Sequence, residues 1–342
     1  MFKRILVPLD ESARAERAIP VALRLAQATH GVVILLRVVD PITELWPVPP
    51  ERWSMTYTIE AHIAEAKQYL VRLTGTISSE AISVETEVAL GPPAQAILSA
   101  VSTYQADMIV LCSHGYTGLK RWIMGSVAEK VAHAASVPVL MLRQGGSFPA
   151  GLHPDVLQPL RVLVPLDGST PAKTALLPAI SLISALVGSA APAALHILKV
   201  MPPVPTDEKK DPFLAQKRLL QRSMKYLSAV SHLLHQDMQK QRASDQDPTI
   251  TWSVETSTDV AGAIVHVAEN GTDVGGIGTI GRSDVIAMAT HGYSGMYHWT
   301  MGSVTERVLH ATTLPLFIVR PTQITNKEHS DWLATTMATL EH

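Results

Sequence analysis

Only one of the 342 residues is a cysteine, Cys112, so no internal disulfide can staple the chain and an oxidising compartment is not indicated. Charge is also sparse. Asp, Glu, Lys and Arg make up 17% of the chain, and 28 basic against 30 acidic side chains leave a formal net charge of −2. That balance supplies no field for gripping a polyanion, so nucleic acid is not an expected partner. Uninterrupted apolar runs are missing too. Thr174 to Leu198 carries no formal charge, but Pro178, Gly188 and Pro192 interrupt it and Ser181, Ser184, Ser189 and His196 add polar groups. A helix followed by a buried strand accounts for it without lipid, so no membrane span is expected. The start, Met1-Phe2-Lys3-Arg4-Ile5, leads into a strand pattern instead of the apolar run of a signal peptide, which makes a cytoplasmic protein the expectation. Leu340-Glu341-His342 reads as the beginning of an affinity tag and is set aside.

What the chain does have is an internal repeat. Ile5-Leu6-Val7-Pro8-Leu9-Asp10-Glu11-Ser12 returns as Val162-Leu163-Val164-Pro165-Leu166-Asp167-Gly168-Ser169. His114-Gly115-Tyr116-Thr117-Gly118 returns as His291-Gly292-Tyr293-Ser294-Gly295. Trp122, Met124, Gly125, Ser126, Val127, Glu129, Val131, His133, Ala134 and Pro138 all recur 177 positions later. Agreement of that density means a tandem duplication. The units are placed at 1–143 and 160–320, with a Gly- and Pro-rich linker at 144–159 and a tail at 321–342.

In the first unit, apolar runs predict strands near 4–9, 32–39, 82–88, 107–112 and 138–142. Helical spacing predicts helices near 12–29, 57–78 and 94–104, with another from 126. The second unit repeats the order, with strands near 161–166, 193–200, 250–255, 284–289 and 315–319. Alternation of this kind predicts an α/β fold, with two tandem open doubly wound five-stranded parallel sheets. Such sheets bind ligands beyond the carboxyl ends of their strands, where strand order reverses. Asp10 and Asp167 end the first strands. Glycine loops at 113–125 and 290–302 follow the fourth strands and run into Gly125-Ser126-Val127 and Gly302-Ser303-Val304 at the head of a helix. Exposed N–H groups and the dipole there favour an anion, the serine is expected to cap the helix and offer a hydroxyl, and Gly115, Gly125, Gly292 and Gly302 let a phosphate approach the backbone.

These residues resemble the universal stress protein family, in its tandem form, over roughly 1–143 and 160–320. The resemblance implies a fold like that of the adenine nucleotide alpha hydrolases and ATP as ligand, with Mg2+ as its accompanying ion. ATP-binding members carry Gly-x2-Gly-x9-Gly-(Ser/Thr). Here the stretches read Cys112-x2-Gly115-x9-Gly125-Ser126 and Ala289-x2-Gly292-x9-Gly302-Ser303, with the first glycine replaced in both by a small residue. The same resemblance puts Pro8, Leu9 and Asp10, and Pro165, Leu166 and Asp167, beside the ribose or adenine. It puts the backbone of Val38 and Val200 beside adenine, Gly91 at a Gly-x-Pro turn, and Ser113 and Thr290 with Gly115, Gly125, Ser126, Val127, Gly292, Gly302, Ser303 and Val304 in the phosphate loops. Gly91-Pro92-Pro93 has Thr258-Asp259-Val260 as its second-unit counterpart, a departure that weakens the second site. Family members also dimerise through the fifth strand, so Val139–Leu142 and Leu316–Val319 are expected to pair as an intramolecular pseudo-dimer, and two chains could associate further.

The function this reading implies is a regulatory, ATP-binding stress-response protein. A slow ATPase or phosphoryl-transfer enzyme and a nucleotide-free dimerising scaffold are the alternatives. No catalytic set and no metal ligands can be named. Gly276-x-Gly278-x-x-Gly281 lies between a helix and a strand, the wrong order for a dinucleotide fingerprint, and reads as an inserted loop; a Walker lysine is missing. His232 and His235 read as a solvated helix face, and His114 and His291 as turn residues beside the loop, with acid–base work next to a phosphate as their alternative. Lys120 and Arg121 face Tyr297 and His298 in the aligned loops, so the first unit is expected to bind ATP more tightly.

Overall fold

The computed structural model describes residues 1–44, 55–77, 82–113, 124–143, 159–187, 192–204, 211–241, 247–274, 278–291 and 301–321. They form two compact units, Met1–Gly146 and Ser147–His342. In the first, β1 (Arg4–Leu9), α1 (Ala13–Glu16), α2 (Ala18–Thr29), β2 (Val32–Val39), α3 (Pro41–Glu44), α4 (Met55–Thr76), β3 (Ser83–Leu90), α5 (Pro93–Thr103), β4 (Met108–Cys112), α6 (Ser126–Ala134) and β5 (Val139–Leu142) follow in order. Its strands are parallel in the order β3-β2-β1-β4-β5. The reversal falls between β1 and β4, so the residues after Leu9 and after Cys112 lie at one crevice.

The second unit repeats the plan. β6 (Leu160–Pro165), α7 (Thr170–Lys173), α8 (Leu176–Val187), β7 (Ala193–Met201), α9 (Pro212–Gln241), β8 (Thr249–Thr256) and α10 (Val260–Asn270) come first. After them come β9 (Thr272–Val274), β10 (Gly278–Ile280), β11 (Val285–Ala289), α11 (Ser303–Ala311) and β12 (Leu316–Val319). Its parallel sheet runs β8-β7-β6-β11-β12. Val, Ile and Leu fill the central strands because helices cover both faces; Leu6, Val7, Ile109, Val110, Leu163 and Val164 are fully buried.

Two sequence expectations are corrected. The single helix at 12–29 is two, broken at Arg17, and the same break recurs at Thr174. Pro20 and Pro178 explain it: lacking an N–H, each fits only the first turn of a new helix, and each is the third residue of its own. The inserted loop around Gly276-x-Gly278-x-x-Gly281 is bounded by an antiparallel hairpin, with β9 paired to β10 from Thr272↔Ile280 to Val274↔Gly278. Gly271 opens it at φ +80°, where a Cβ would meet the Ile280 carbonyl at 2.1 Å. The apolar stretch Thr170–Val187 becomes α7 and α8 and is 61% buried.

The duplication also repeats fine detail. The Asp107 carboxylate accepts from the Lys3 and Arg4 backbone N–H groups at 2.8 and 3.0 Å, and that of Asp284 accepts from the Arg161 N–H at 2.8 Å. An aspartate before the fourth strand thus satisfies donors at the start of the first.

Candidate functional site

The turns after β1 and β6 are built alike. The Asp10 carboxylate accepts from the Ser12 N–H at 3.1 Å and the Ser12 hydroxyl at 2.6 Å; that hydroxyl accepts from the Ala15 N–H at 3.1 Å, capping α1. Asp167 accepts from the Ser169 N–H at 2.8 Å, and the Ser169 hydroxyl caps α7 through the Ala172 N–H at 3.2 Å. Each aspartate is thereby fixed at the crevice by its own turn.

Across the crevice, the phosphate-loop ends are tied to the fourth strands. The Gly125 N–H donates to the Ser113 carbonyl at 2.8 Å and the Gly302 N–H to the Thr290 carbonyl at 2.7 Å. Ser113 and Thr290 are buried anchors, and the Thr305 hydroxyl donates to the Ala289 carbonyl at 3.0 Å from within α11. The expectation for the serines needs correction. Gly125 and Gly302, at φ −68°, ψ 136° and φ −64°, ψ 144°, hold the N-cap positions, and neither helix start has a side-chain cap. Ser126 and Ser303 are exposed first residues of their helices. Both N-termini therefore present backbone N–H groups without a side-chain acceptor, a stronger anion site than a capped end. Gly302 also has a structural duty, since a Cβ there would stand 3.2 Å from the Thr290 carbonyl.

In the second unit these parts enclose a cleft of about 180 Å³ that opens to solvent. Pro165, Leu166, Asp167 and Val200 form one wall, and Gly302, Ser303 and Val304 form the other. Seven of the nine residues expected in this unit are thus together; Thr290 lies beneath as the anchor of Gly302, and Gly292 falls outside the described residues. Ala289, the small residue in place of the motif's first glycine, lines the cleft too, as do Ala172, Val260, Ile264, Met288 and Thr305, which were not read from the sequence. They are ordinary apolar or small residues on helix and strand positions that any core would use. His291 lines the cleft as well. Its Nδ1 is 3.0 Å from the Thr290 hydroxyl, while its buried Nε2 has no hydrogen-bond partner among the described residues.

The counterparts in the first unit are Pro8 and Leu9 in β1, Asp10 after it, Val38 near the end of β2, Ser113 after β4, and Gly125, Ser126 and Val127 at the head of α6. Gly91 turns at φ +119°, which restricts that position to glycine. Gly115, His114, Lys120, Arg121 and the tryptophans of both loops lie outside the described residues. The second unit replaces the Gly91 turn with a capped one: the Asp259 carboxylate accepts from the Gly262 N–H at 3.0 Å and pairs with Arg307 of α11 at 2.7 Å. Val260, directly after it, still reaches the cleft.

Charge differs between the copies. Beside Asp10 the first unit has Glu11, paired with Arg37 at 2.9 Å, and Glu16, which accepts from the Tyr69 hydroxyl at 3.0 Å; Arg37 also donates to the Val38 carbonyl. At the matching positions the second unit has Gly168, Lys173 and Tyr226. Lys199, the counterpart of Arg37, donates to the Asp167 carbonyl at 2.6 Å and lies 5.4 Å from the Tyr226 ring centroid. Burial lowers the Lys173 and Lys199 pKa values, the Asp167 charge opposing it at Lys199. Among the described residues no group of three or more His, Cys, Asp or Glu side chains could hold a metal. His232 and His235 sit exposed on α9.

The site thus defines a twice-repeated doubly wound α/β domain with an aspartate and an uncapped helix N-terminus facing each other at the strand-order reversal. The chain belongs to the universal stress protein family, whose sequence profile matches residues 1–143 and 160–320. A universal stress protein of Mycolicibacterium smegmatis is 24% identical over 326 residues, 93% of this chain and 97% of that one. One from Methanocaldococcus jannaschii is 30% identical over 146 residues, 42% of this chain and 84% of that one. The crystal structure of a universal stress protein from Archaeoglobus fulgidus superposes with a TM-score of 0.61 at 19% identity, covering 94% of this chain and 100% of that one.

Proposed function

We propose that this is a regulatory nucleotide-binding protein and that ATP occupies the second-unit cleft, the first unit offering an equivalent site. One observation carries the reading: Asp167 and Val200, to which the family resemblance gives ribose and adenine, and the N-terminus of α11, whose exposed N–H groups suit phosphates, line the same cleft. A volume of about 180 Å³ is below the roughly 300 Å³ of a small closed ligand pocket, so the nucleotide would stay partly in water. A Mg2+ ion would be held chiefly by the phosphates, since Asp167 is the one carboxylate lining the cleft among the described residues. Asp167 would accept from the ribose hydroxyls, and the first-turn N–H groups of α11 with the Ser303 hydroxyl would hold phosphate oxygens.

The described residues favour the second unit as the tighter site. Glu11 and Glu16 place carboxylates around Asp10 where the second unit has Gly168 and Lys173, and Arg37 already occupies the Val38 carbonyl. The contrary expectation rests on Lys120 and Arg121, outside the described residues, and on the Gly91-Pro92-Pro93 turn, which the first unit keeps with Gly91 at φ +119° and the second lacks. Titration of ATP into the parent, Asp10→Ala and Asp167→Ala separates the two: loss of the tighter site in Asp167→Ala supports the second-unit reading, and loss in Asp10→Ala refutes it.

His291 supports a second reading, slow phosphoryl transfer, because its imidazole lines the cleft and its buried Nε2 has no hydrogen-bond partner among the described residues. Conversion of bound ATP to ADP that disappears in His291→Ala, with binding retained, would establish it.

A further inference from the structure

We propose that the second unit holds an oxyanion of the phosphate class at Lys173, Lys199 and Tyr226, a subsite apart from the nucleotide cleft. The contrast between the two copies carries the inference. In the first unit the matching side chains satisfy one another: Glu16 accepts from the Tyr69 hydroxyl at 3.0 Å, and Glu11 pairs with Arg37 at 2.9 Å. Two carboxylates thus answer one cation and one hydroxyl. In the second unit both carboxylates are gone, replaced by Lys173 and Gly168, while the cation persists as Lys199 and the phenol as Tyr226. The same place changes from one net negative charge to two positive ones.

The result is a set of donors without matching acceptors. Lys173 is 3% exposed and makes no ion pair or hydrogen bond among the described residues; its Nζ lies 6.0 Å from the Tyr226 ring centre. The Lys199 Nζ lies 5.4 Å from the same centre and donates to the Asp167 carbonyl at 2.6 Å, but it too has no ion pair there. The Tyr226 hydroxyl is buried with no hydrogen-bond partner among the described residues. Its first-unit counterpart donates to a carboxylate oxygen, which identifies the kind of acceptor it suits. An ammonium group buried without a counter-charge is unfavourable, and an anion beside it offsets that.

Gly168 supplies the room. It turns at φ +102° where the first unit has the Glu11 side chain, and a Cβ there would stand 3.3 Å from the Lys199 Nζ. Beyond its chain neighbours, no other atom of the described residues comes within 4 Å of that point. The Lys199 ammonium is therefore uncovered on the side of the turn. Two ammonium charges and a hydroxyl donor match a dianion with three terminal oxygens, inorganic phosphate or a phosphate monoester, whereas a carboxylate would answer only one charge. Asp167 does not take that place, because its carboxylate is held by the Ser169 N–H. None of the three residues lines the nucleotide cleft, so the subsite stands whether or not the cleft holds ATP.

Calorimetric titration of inorganic phosphate into the full chain at constant ionic strength tests it. The background is Ser126→Asp/Ser303→Asp, so that both phosphate-loop helix starts carry their own carboxylates. The expected result is saturable phosphate binding that acetate does not reproduce. Lys173→Met, which keeps the length and removes the charge, should weaken it at least about tenfold, and Tyr226→Phe should do the same. Lys173→Glu, which restores the first unit's pairing with the phenol, should abolish it. Each change removes or answers an unpartnered buried group, so the phosphate-free variants should melt no lower than the background protein. The proposal is overturned if the background binds no phosphate up to about 10 mM, or if acetate binds as well as phosphate. It is also overturned if Lys173→Met or Tyr226→Phe binds as the background does, which would place the phosphate elsewhere.

Discussion

His196 offers a quantitative handle on the second unit. It lies on β7, 1% exposed, with Nδ1 2.9 Å from the Thr251 hydroxyl and Nε2 2.9 Å from the Ser253 hydroxyl, both on the neighbouring β8. Burial, reinforced by the positive charge of Arg161, lowers its pKa from 6.5 to about 4. The folded state thus refuses a proton that the unfolded chain accepts. Stability contributed by the neutral ring is complete above about pH 6.5 and drains away as pH falls towards 4, where the loss levels off. A gap of about 2.5 units at about 1.4 kcal/mol each gives roughly 3 kcal/mol in total, of which about 1.4 kcal/mol is gone by pH 5.5. Urea unfolding followed between about pH 7.5 and 4.5, with probes in each unit so that the two transitions are resolved, should show this loss in the second unit. His196→Gln keeps a donor and an acceptor but cannot titrate, so its stability should fall less steeply over that range. Parallel curves for the two proteins, or an imidazole resonance of His196 titrating near 6.5, would refute the reasoning.

Four further outcomes follow from the same geometry. Ser303→Asp should leave α11 as stable or more so, because a carboxylate suits a helix N-terminus, yet weaken ATP binding at least about tenfold by occupying the anion site; equal affinity by calorimetry would contradict the phosphate assignment. The Cys112 thiol, raised to about 11 mainly by burial, should resist iodoacetamide near neutral pH until the protein is unfolded, and rapid labelling of the native chain would count against its placement. The expectation from the sequence that Val139–Leu142 and Leu316–Val319 pair with each other is tested by amide exchange, which should be slow in both strands; exchange at loop rates in either would argue against it. Loss of bound nucleotide from the parent on heating, detected by mass analysis of the supernatant, should yield adenine nucleotides and no other class.

Much of this architecture was open to reading because the duplication exposes it twice. Val and Ile runs bounded by helices give the strand order its logic, and Asp10 and Asp167 mark the ends of the first strands without any structure. Other features hide for physical reasons. Pro20 and Pro178 split a helix that apolar spacing joins, since periodicity does not register a missing N–H. Ser126 and Ser303 look like N-caps because serine commonly is one, but the extended backbone that makes a cap falls on the preceding glycine. The phosphate-facing role given to Gly302 is only part of its reason, because contact with the Thr290 carbonyl excludes a side chain there first. Gly302→Val would therefore disturb the turn as well as the ligand, which makes Ser303→Asp the cleaner test. Val260 and Ile264 reach the cleft only through the packing of α10, which no single segment encodes, and the β9–β10 hairpin has strands too short to show alternation.

Calorimetric titration of ATP into the purified parent and Asp167→Ala proteins, with Mg2+ present, tests the nucleotide-binding proposal most directly. Saturable binding with one tighter site that is lost in Asp167→Ala is the expected result. Absence of saturable binding of ATP, ADP or AMP up to about 1 mM, a limit corresponding to about 4 kcal/mol of binding free energy, would contradict it.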